Sequence, residues 1–188
     1  NQKTFKQIVE KIQFYGRPIF KIPSVEDLAS GKYKLNNLSR VNIEELLRRD
    51  VVRPDLKLLK KSVQNKNICV TGGGGSIGSE LCKQIYSLNP KSITIIENCE
   101  FNLYKIQKYF QKKEERNFNI NYLLANCENT KNLIYYFKKY NIEIVFHAAA
   151  YKHVPLVEIN PIEGIRNNVF STLAICEASY QSHVNSLI

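Results

Sequence analysis

From residue 62 onward, apolar and polar positions change period at regular intervals. Asn67-Ile68-Cys69-Val70 is a short run rich in β-formers. Ser79-Glu80-Leu81-Cys82-Lys83-Gln84-Ile85 follows, with its apolar residues at helical spacing. The alternation continues, and predicts strands over 67–70, 92–97, 119–125 and 142–147, each followed by a helix, over 77–88, 101–113, 130–140 and 164–181. A last run, Val184 to Ile188, begins a fifth strand. Strands that alternate with helices in this way specify a parallel sheet covered on both faces. Right-handed crossovers make the doubly wound α/β arrangement, the Rossmann type, the expected fold.

Residues 1–63 read differently. Phe5 to Ile12 has the pattern of a short amphipathic helix, and Gly16 to Pro23 that of an extended segment between turn signals. Ser24 with Asp27, and Asn42 with Glu45, each pair a capping side chain with an acid three residues on. The expected organisation is therefore a mixed helical lead-in over 1–63, the tail of a preceding domain, and a Rossmann-type domain over 64–188. The chain does not begin with Met and reads as an excerpt of something longer.

Where the first strand of the series hands over to its helix, the sequence is Thr71-Gly72-Gly73-Gly74-Gly75-Ser76-Ile77-Gly78. The fingerprint of a pyrophosphate-binding turn fits it twice, as Gly73-x-Gly75-x-x-Gly78 and as Thr71-Gly72-x-x-Gly75-x-x-Gly78. Residues without Cβ let the backbone turn sharply and approach a phosphate, and the first N–H groups of the helix then point at the anion. Ser76 and Ile77 contribute through those N–H groups more than through their side chains. Glu97 closes the next strand, about 20 residues beyond the glycines, where a carboxylate can take the adenosine ribose 2′-hydroxyl. Its charge would repel a 2′-phosphate, so NAD is expected over NADP. After the fourth strand comes His147-Ala148-Ala149-Ala150-Tyr151-Lys152-His153-Val154-Pro155. The three alanines leave room at the carboxyl end of the sheet, where open α/β folds bind ligands. Lys152 is a candidate contact to cofactor or substrate. Tyr151 and Lys152 are adjacent and cannot share one helical face. His147 ends a buried strand and reads as a structural histidine.

The segments Thr71–Glu80, His147–Pro155 and Asn160–Val169 together resemble the extended short-chain dehydrogenase/reductases. More narrowly, they are similar to the bacterial polysaccharide-biosynthesis nucleotide-sugar 4,6-dehydratases and their epimerase relatives. Glu97–Tyr104 and Asn42–Arg49 are similar to the same subfamily. The resemblance implies a nucleotide-sugar substrate, UDP-N-acetylglucosamine by expectation, in surface glycan biosynthesis. The implied reaction oxidises C4 of the hexose, removes water across C5–C6 and returns the hydride to C6. A 4-epimerase, or a nucleotide-binding remnant without catalysis, is the alternative. Cofactor contacts are implied at Thr71, Gly72, Gly75, Ser76, Ile77, Gly78, Glu97, Asn126 and Ala148 to Ala150, and substrate contacts at Lys152 and His153. Asn168 is implied to support the strand ends around the cofactor.

The sequence departs from the family pattern in places. Glu97 and Asn126 stand where the family usually has Asp, and Ser171 where Gly is common. The catalytic Thr/Ser-Asp-Lys triplet and the later Tyr- or Met-x-x-x-Lys pair have no counterpart within residues 1–188. No catalytic residue is therefore assigned, and these residues alone are expected to be inactive. The resemblance also implies a homo-oligomer in the cytoplasm, with a parent protein anchored at the inner face of the membrane.

Composition adds limits. The five cysteines are scattered without metal-ligand spacing, so no metal site is expected and reduced thiols are. The net charge of +10 raises nucleic acid as a partner, but no recognition element accompanies it. Lysines such as Lys105, Lys108 and Lys138 fall on the solvated faces of expected helices, so no nucleic-acid partner is expected.

Overall fold

A computed structural model describes residues 55–113 and 118–188, together with the backbone of Phe20–Lys21 and Ser39–Arg40. The chain forms two compact units, Asn1–Pro54 and Asp55–Ile188. In the first, β1 (Phe20–Lys21) pairs antiparallel with β2 (Ser39–Arg40), Phe20 opposite Arg40. β1 falls inside the extended segment expected over 16–23. The expected helix at 5–12 and the two capped starts lie outside the described residues.

The second unit opens with α1 (Leu56–Val63), ahead of residue 64. Asp55 caps it, its Oδ1 accepting from the N–H groups of Lys57 and Leu58. Then come β3 (Asn67–Thr71), α2 (Ser76–Ser87), β4 (Ser92–Glu97), α3 (Glu100–Gln111), β5 (Asn119–Leu124), α4 (Thr130–Lys139) and β6 (Ile144–His147). α5 (Val154–Ile159), α6 (Pro161–Ile165), a π-helical turn (Arg166–Phe170), α7 (Ser171–Gln181) and β7 (Ser186–Leu187) complete it. All strand pairs in this unit are parallel, in the order β5-β4-β3-β6-β7. The chain starts in the middle of the sheet, works to one edge, and returns through β6 to the other side. The point where direction reverses lies between β3 and β6, at whose carboxyl ends α/β sheets bind ligands.

The sheet is buried on both faces because successive residues of each central strand serve different layers. Ile68 and Val70 of β3 join Ile93 and Ile95 of β4 beneath α2 and α3, where Ile85, Tyr86, Ile106 and Phe110 meet them; Val63 of α1 joins this layer. Cys69, Ile96 and Val145 face the opposite way, onto Leu133 and Phe137 of α4 and Ala174, Ile175 and Ala178 of α7. Burial pushes the thiols of Cys69 and Cys82 up, that of Cys82 to about 12, so both act as small apolar residues.

The helix-to-strand turns share one device. Asn65, Asn89, Asn141 and His183 all have positive φ, between 48° and 59°. After α4, Ile142 N–H reaches Phe137 O at 2.9 Å and Asn141 N–H reaches Lys138 O at 3.2 Å. After α7, Val184 N–H bonds Ser179 O and His183 N–H bonds Tyr180 O. Both are Schellman closures, which turn a helix sharply back toward the sheet.

One long helix expected over 164–181 is instead α6, the π-turn and α7; α6 begins earlier than expected, and the short α5 before it was not expected. Pro155 and Pro161 each stand in a first helical turn, a favoured place for proline, and the break at Asn160 separates the two helices. In the π-turn, Ser171 N–H bonds Arg166 O five residues back. The Ser171 hydroxyl donates to Asn167 O and the Thr172 hydroxyl to Asn168 O. Side-chain donors thus satisfy carbonyls that the widened turn displaces.

Candidate functional site

The glycine turn joins β3 to α2. Gly72 takes φ +64°, and a Cβ there would stand 2.7 Å from Ala149 Cα, so the turn lies directly against the loop after β6. Gly78, in the first turn of α2, touches the Gly72 carbonyl so closely that any side chain would collide with backbone. Gly75 differs: its missing Cβ would meet only Gly72 O, at 3.2 Å. That side of Gly75 opens onto a cavity. α2 has no side-chain cap, and its first helical bond runs from Ser79 N–H to Gly75 O. The N–H groups of Ser76, Ile77 and Gly78 precede that bond, as a helix N-terminus that receives an anion requires.

Two cavities meet at Gly75. One, of about 350 Å³, runs between the turn, the end of β4 and the loop after β5. Gly72, Glu97, Asn126 and the three alanines 148–150 line it. The other, of about 480 Å³, lies between the start of α2 and α5–α6, and Ser76, Ile77, Lys152 and His153 line it. Tyr151 borders both.

Glu97 is buried, and its carboxylate accepts three backbone N–H bonds: Gly74 to Oε2 at 2.9 Å, and Asn98 and Cys99 to Oε1 at 3.1 Å each. The longer side chain folds back onto the glycine loop and ties it to the start of α3. It keeps capacity for a further hydroxyl, because a carboxylate has about four lone-pair sites. Asn126 is partly engaged as well, its Oδ1 accepting from Glu128 N–H at 2.9 Å. Lys152 Nζ lies 3.3 Å from Ser76 Oγ, so this ammonium stands at the N-terminus of α2.

Thr71 does not reach either cavity, contrary to its expected role as a cofactor contact. Its side chain is fully buried and hydrogen-bonds His147 Nδ1 at 2.7 Å, because odd positions of β3 face the α4–α7 layer. Gly78 likewise serves close packing of turn on helix rather than forming a cavity wall. His147 is structural, as expected: its other nitrogen meets Thr172 Oγ1 at 3.0 Å, and burial holds its pKa below the usual histidine range. Asn168 grips the Tyr151 backbone from both sides, its Oδ1 accepting from Tyr151 N–H at 2.8 Å and its Nδ2 donating to Tyr151 O at 2.9 Å.

Asn98, Cys99, Asn102 and Asn167 also line the smaller cavity, and Asn160 and Glu163 the larger. None was singled out from sequence. Asn167 sits beside Asn168 within a pattern that reads as plain helix, and only the π-turn brings it to the wall. Among the described residues no group of three or more His, Cys, Asp or Glu could hold a metal ion. No described helix is long and apolar enough to cross a membrane.

Comparison with known proteins agrees with this geometry. A model of the polysaccharide biosynthesis protein family matches residues 68–188. The capsular polysaccharide biosynthesis protein CapD of Staphylococcus aureus is 36% identical over 188 residues, 100% of this chain and 31% of that protein. A UDP-N-acetylglucosamine 4,6-dehydratase (inverting) of Campylobacter jejuni is 29% identical over 124 residues, 65% of this chain and 35% of the relative. The chain thus spans about a third of the length of these curated relatives. Among solved structures, Pen from Bacillus thuringiensis superposes with a TM-score of 0.60 at 31% identity, over 66% of this chain and 36% of that one. The dTDP-glucose 4,6-dehydratase DesIV from Streptomyces venezuelae, with NAD bound, gives 0.54 at 17% identity, over 64% of this chain and 38% of that one; it shares the fold. Glycine turn, sheet order and sequence match agree, and the chain belongs to the polysaccharide biosynthesis protein family of Rossmann-type nucleotide-sugar dehydratases and epimerases.

Proposed function

We propose that this chain is the cofactor-binding part of a nucleotide-sugar 4,6-dehydratase, holding NAD in the smaller cavity and part of a UDP-sugar, UDP-N-acetylglucosamine by preference, in the larger. The observation that carries the reading is the behaviour of Gly75. Of the glycines in the turn it is the one whose missing side chain faces open space, and it does so where the two cavities join and the first N–H groups of α2 converge. A pyrophosphate fits that place by shape and by charge.

In this reading Ser76 and Ile77 hold the pyrophosphate through backbone N–H groups. Glu97 sets the ribose end and disfavours a 2′-phosphate. Among the described residues no Lys or Arg lines the smaller cavity to neutralise one. Ala148 to Ala150 let the dinucleotide pass close to backbone, and Lys152 meets the sugar nucleotide. Bound NAD supplies the hydride chemistry, and the protein supplies orientation and electrostatics. The dehydratase relative favours loss of water over epimerisation as the reaction of the longer protein.

Calorimetric titration with NAD and NADP tests the reading. NAD is expected to bind the more tightly; equal or tighter NADP binding would remove Glu97 from its role. A protein extended to the length of its relatives is expected to remove water from UDP-N-acetylglucosamine, seen by mass measurement. A product of unchanged mass would favour the 4-epimerase.

A further inference from the structure

His147 touches neither cavity, yet it stands at the centre of a chain of hydrogen bonds that ends at their walls. The Thr172 hydroxyl has one proton, and it donates that proton to Asn168 O at 2.7 Å. Thr172 Oγ1 must therefore accept from His147, and the imidazole Nε2 carries the hydrogen. Neutral histidine then has Nδ1 free as an acceptor, and the Thr71 hydroxyl donates to it. Behind Thr71, burial pushes the Cys127 thiol up to about 12, so it stays protonated. Each bond in the series has one allowed direction. The series runs from β3, through the end of β6, to the π-turn.

The far end of the series matters for binding. Asn168, whose carbonyl takes the Thr172 proton, holds Tyr151 by both backbone groups. Asn167 donates through Nδ2 to Asn168 Oδ1 at 3.0 Å and borders the smaller cavity. With a five-residue hydrogen bond already widening the backbone here, nothing in the helix repeat itself fixes where these two side chains point.

We propose that His147, in its Nε2–H form, is a positioning residue for the dinucleotide: by fixing Thr172 it fixes the π-turn, and with it the Asn167 and Tyr151 walls of the cavity. The proposal rests on the cofactor reading given above. It adds a residue that contacts no ligand and a required tautomer.

Two measurements test it. The ring ¹⁵N shifts of His147 in the ligand-free protein are expected to show a proton on Nε2 and a bare Nδ1; the opposite tautomer overturns the proposal. NAD affinity of Thr172→Val is expected to fall about tenfold, the scale of one or two hydrogen bonds. Thr172→Ser keeps the hydroxyl and should stay within about twofold of the parent chain. Should Thr172→Val fail to fold, His147→Gln carries the same expectation, with folding followed by circular dichroism. A folded Thr172→Val or His147→Gln with unchanged affinity overturns the proposal. A parent chain that binds no dinucleotide refutes the cofactor reading instead, and the tautomer measurement then decides the order of the bonds on its own.

Discussion

At the scale of single residues, the turn distinguishes glycines that the sequence presents as equivalent. Gly75→Val puts its side chain into the space assigned to the pyrophosphate while meeting only one backbone oxygen of the protein. NAD affinity is expected to fall at least about a hundredfold, ~2.7 kcal/mol. The cost in stability should be about 1 kcal/mol, because a β-branched side chain replaces a glycine N-cap. Gly78→Ala should do the reverse and destabilise the fold by about 3 kcal/mol, since its Cβ would meet the Gly72 carbonyl. Calorimetry for binding and urea unfolding for stability separate the two. His147 gives a second test. Its folded pKa is lowered by burial from 6.5, so on acidification the unfolded chain takes up the proton first. Stability is complete above about pH 7.5 and falls as the pH drops through about 6.5. Glu143 titrates in a separate window. Burial pushes its pKa up, but Lys66 at 2.8 Å and the Asn67 N–H outweigh that and hold it low, so its contribution is lost as the pH falls through and below the usual carboxylate range, under the histidine window. Urea midpoints between about pH 7.5 and about pH 5.5 should therefore decline, and decline less in His147→Gln.

At the scale of elements, the strands and their helices could be read from period alone. β3 and β4 are mostly apolar and buried almost throughout because both faces are covered, and the glycine turn is marked by composition. What could not be read is the stretch from 154 to 170. Its apolar residues Leu156, Ile159, Ile162 and Ile165 remain exposed, so they do not follow the inward-facing periodicity that normally reveals a helix. The π-turn is invisible for another reason: Asn167 and Asn168 look like polar positions of one continuous helix until an extra residue per turn rotates them onto the site. Thr71 shows the limit of motif reading. It belongs to the fingerprint by position, but strand parity sends its side chain into the core. Glu97 lay at the legible distance from the glycines, whereas its three backbone bonds depend on side-chain length and could not be foreseen.

At the scale of the whole molecule, the distribution of charge has a consequence for ionic strength. The chain carries +10, yet among the described residues Lys152 is the one Lys or Arg bordering either cavity, while the carboxylates of Glu97 and Glu163 also stand in their walls. Several of the other lysines lie over aromatic rings on the outer faces of α2, α3 and α4, such as Lys83 at 5.0 Å from Tyr109 and Lys105 at 4.0 Å from Phe101. Cofactor capture by fixed N–H dipoles should thus be almost indifferent to added salt. Between about 0.05 and about 0.5 M sodium chloride, NAD affinity is expected to change by less than about threefold, and Lys152→Gln should remove most of that change. A steep salt dependence that survives Lys152→Gln would mean that the outer lysines capture the ligand. The expected flat response describes a polycation that binds an anion through neutral backbone, and a phosphocellulose or heparin column would report the outer surface rather than the site.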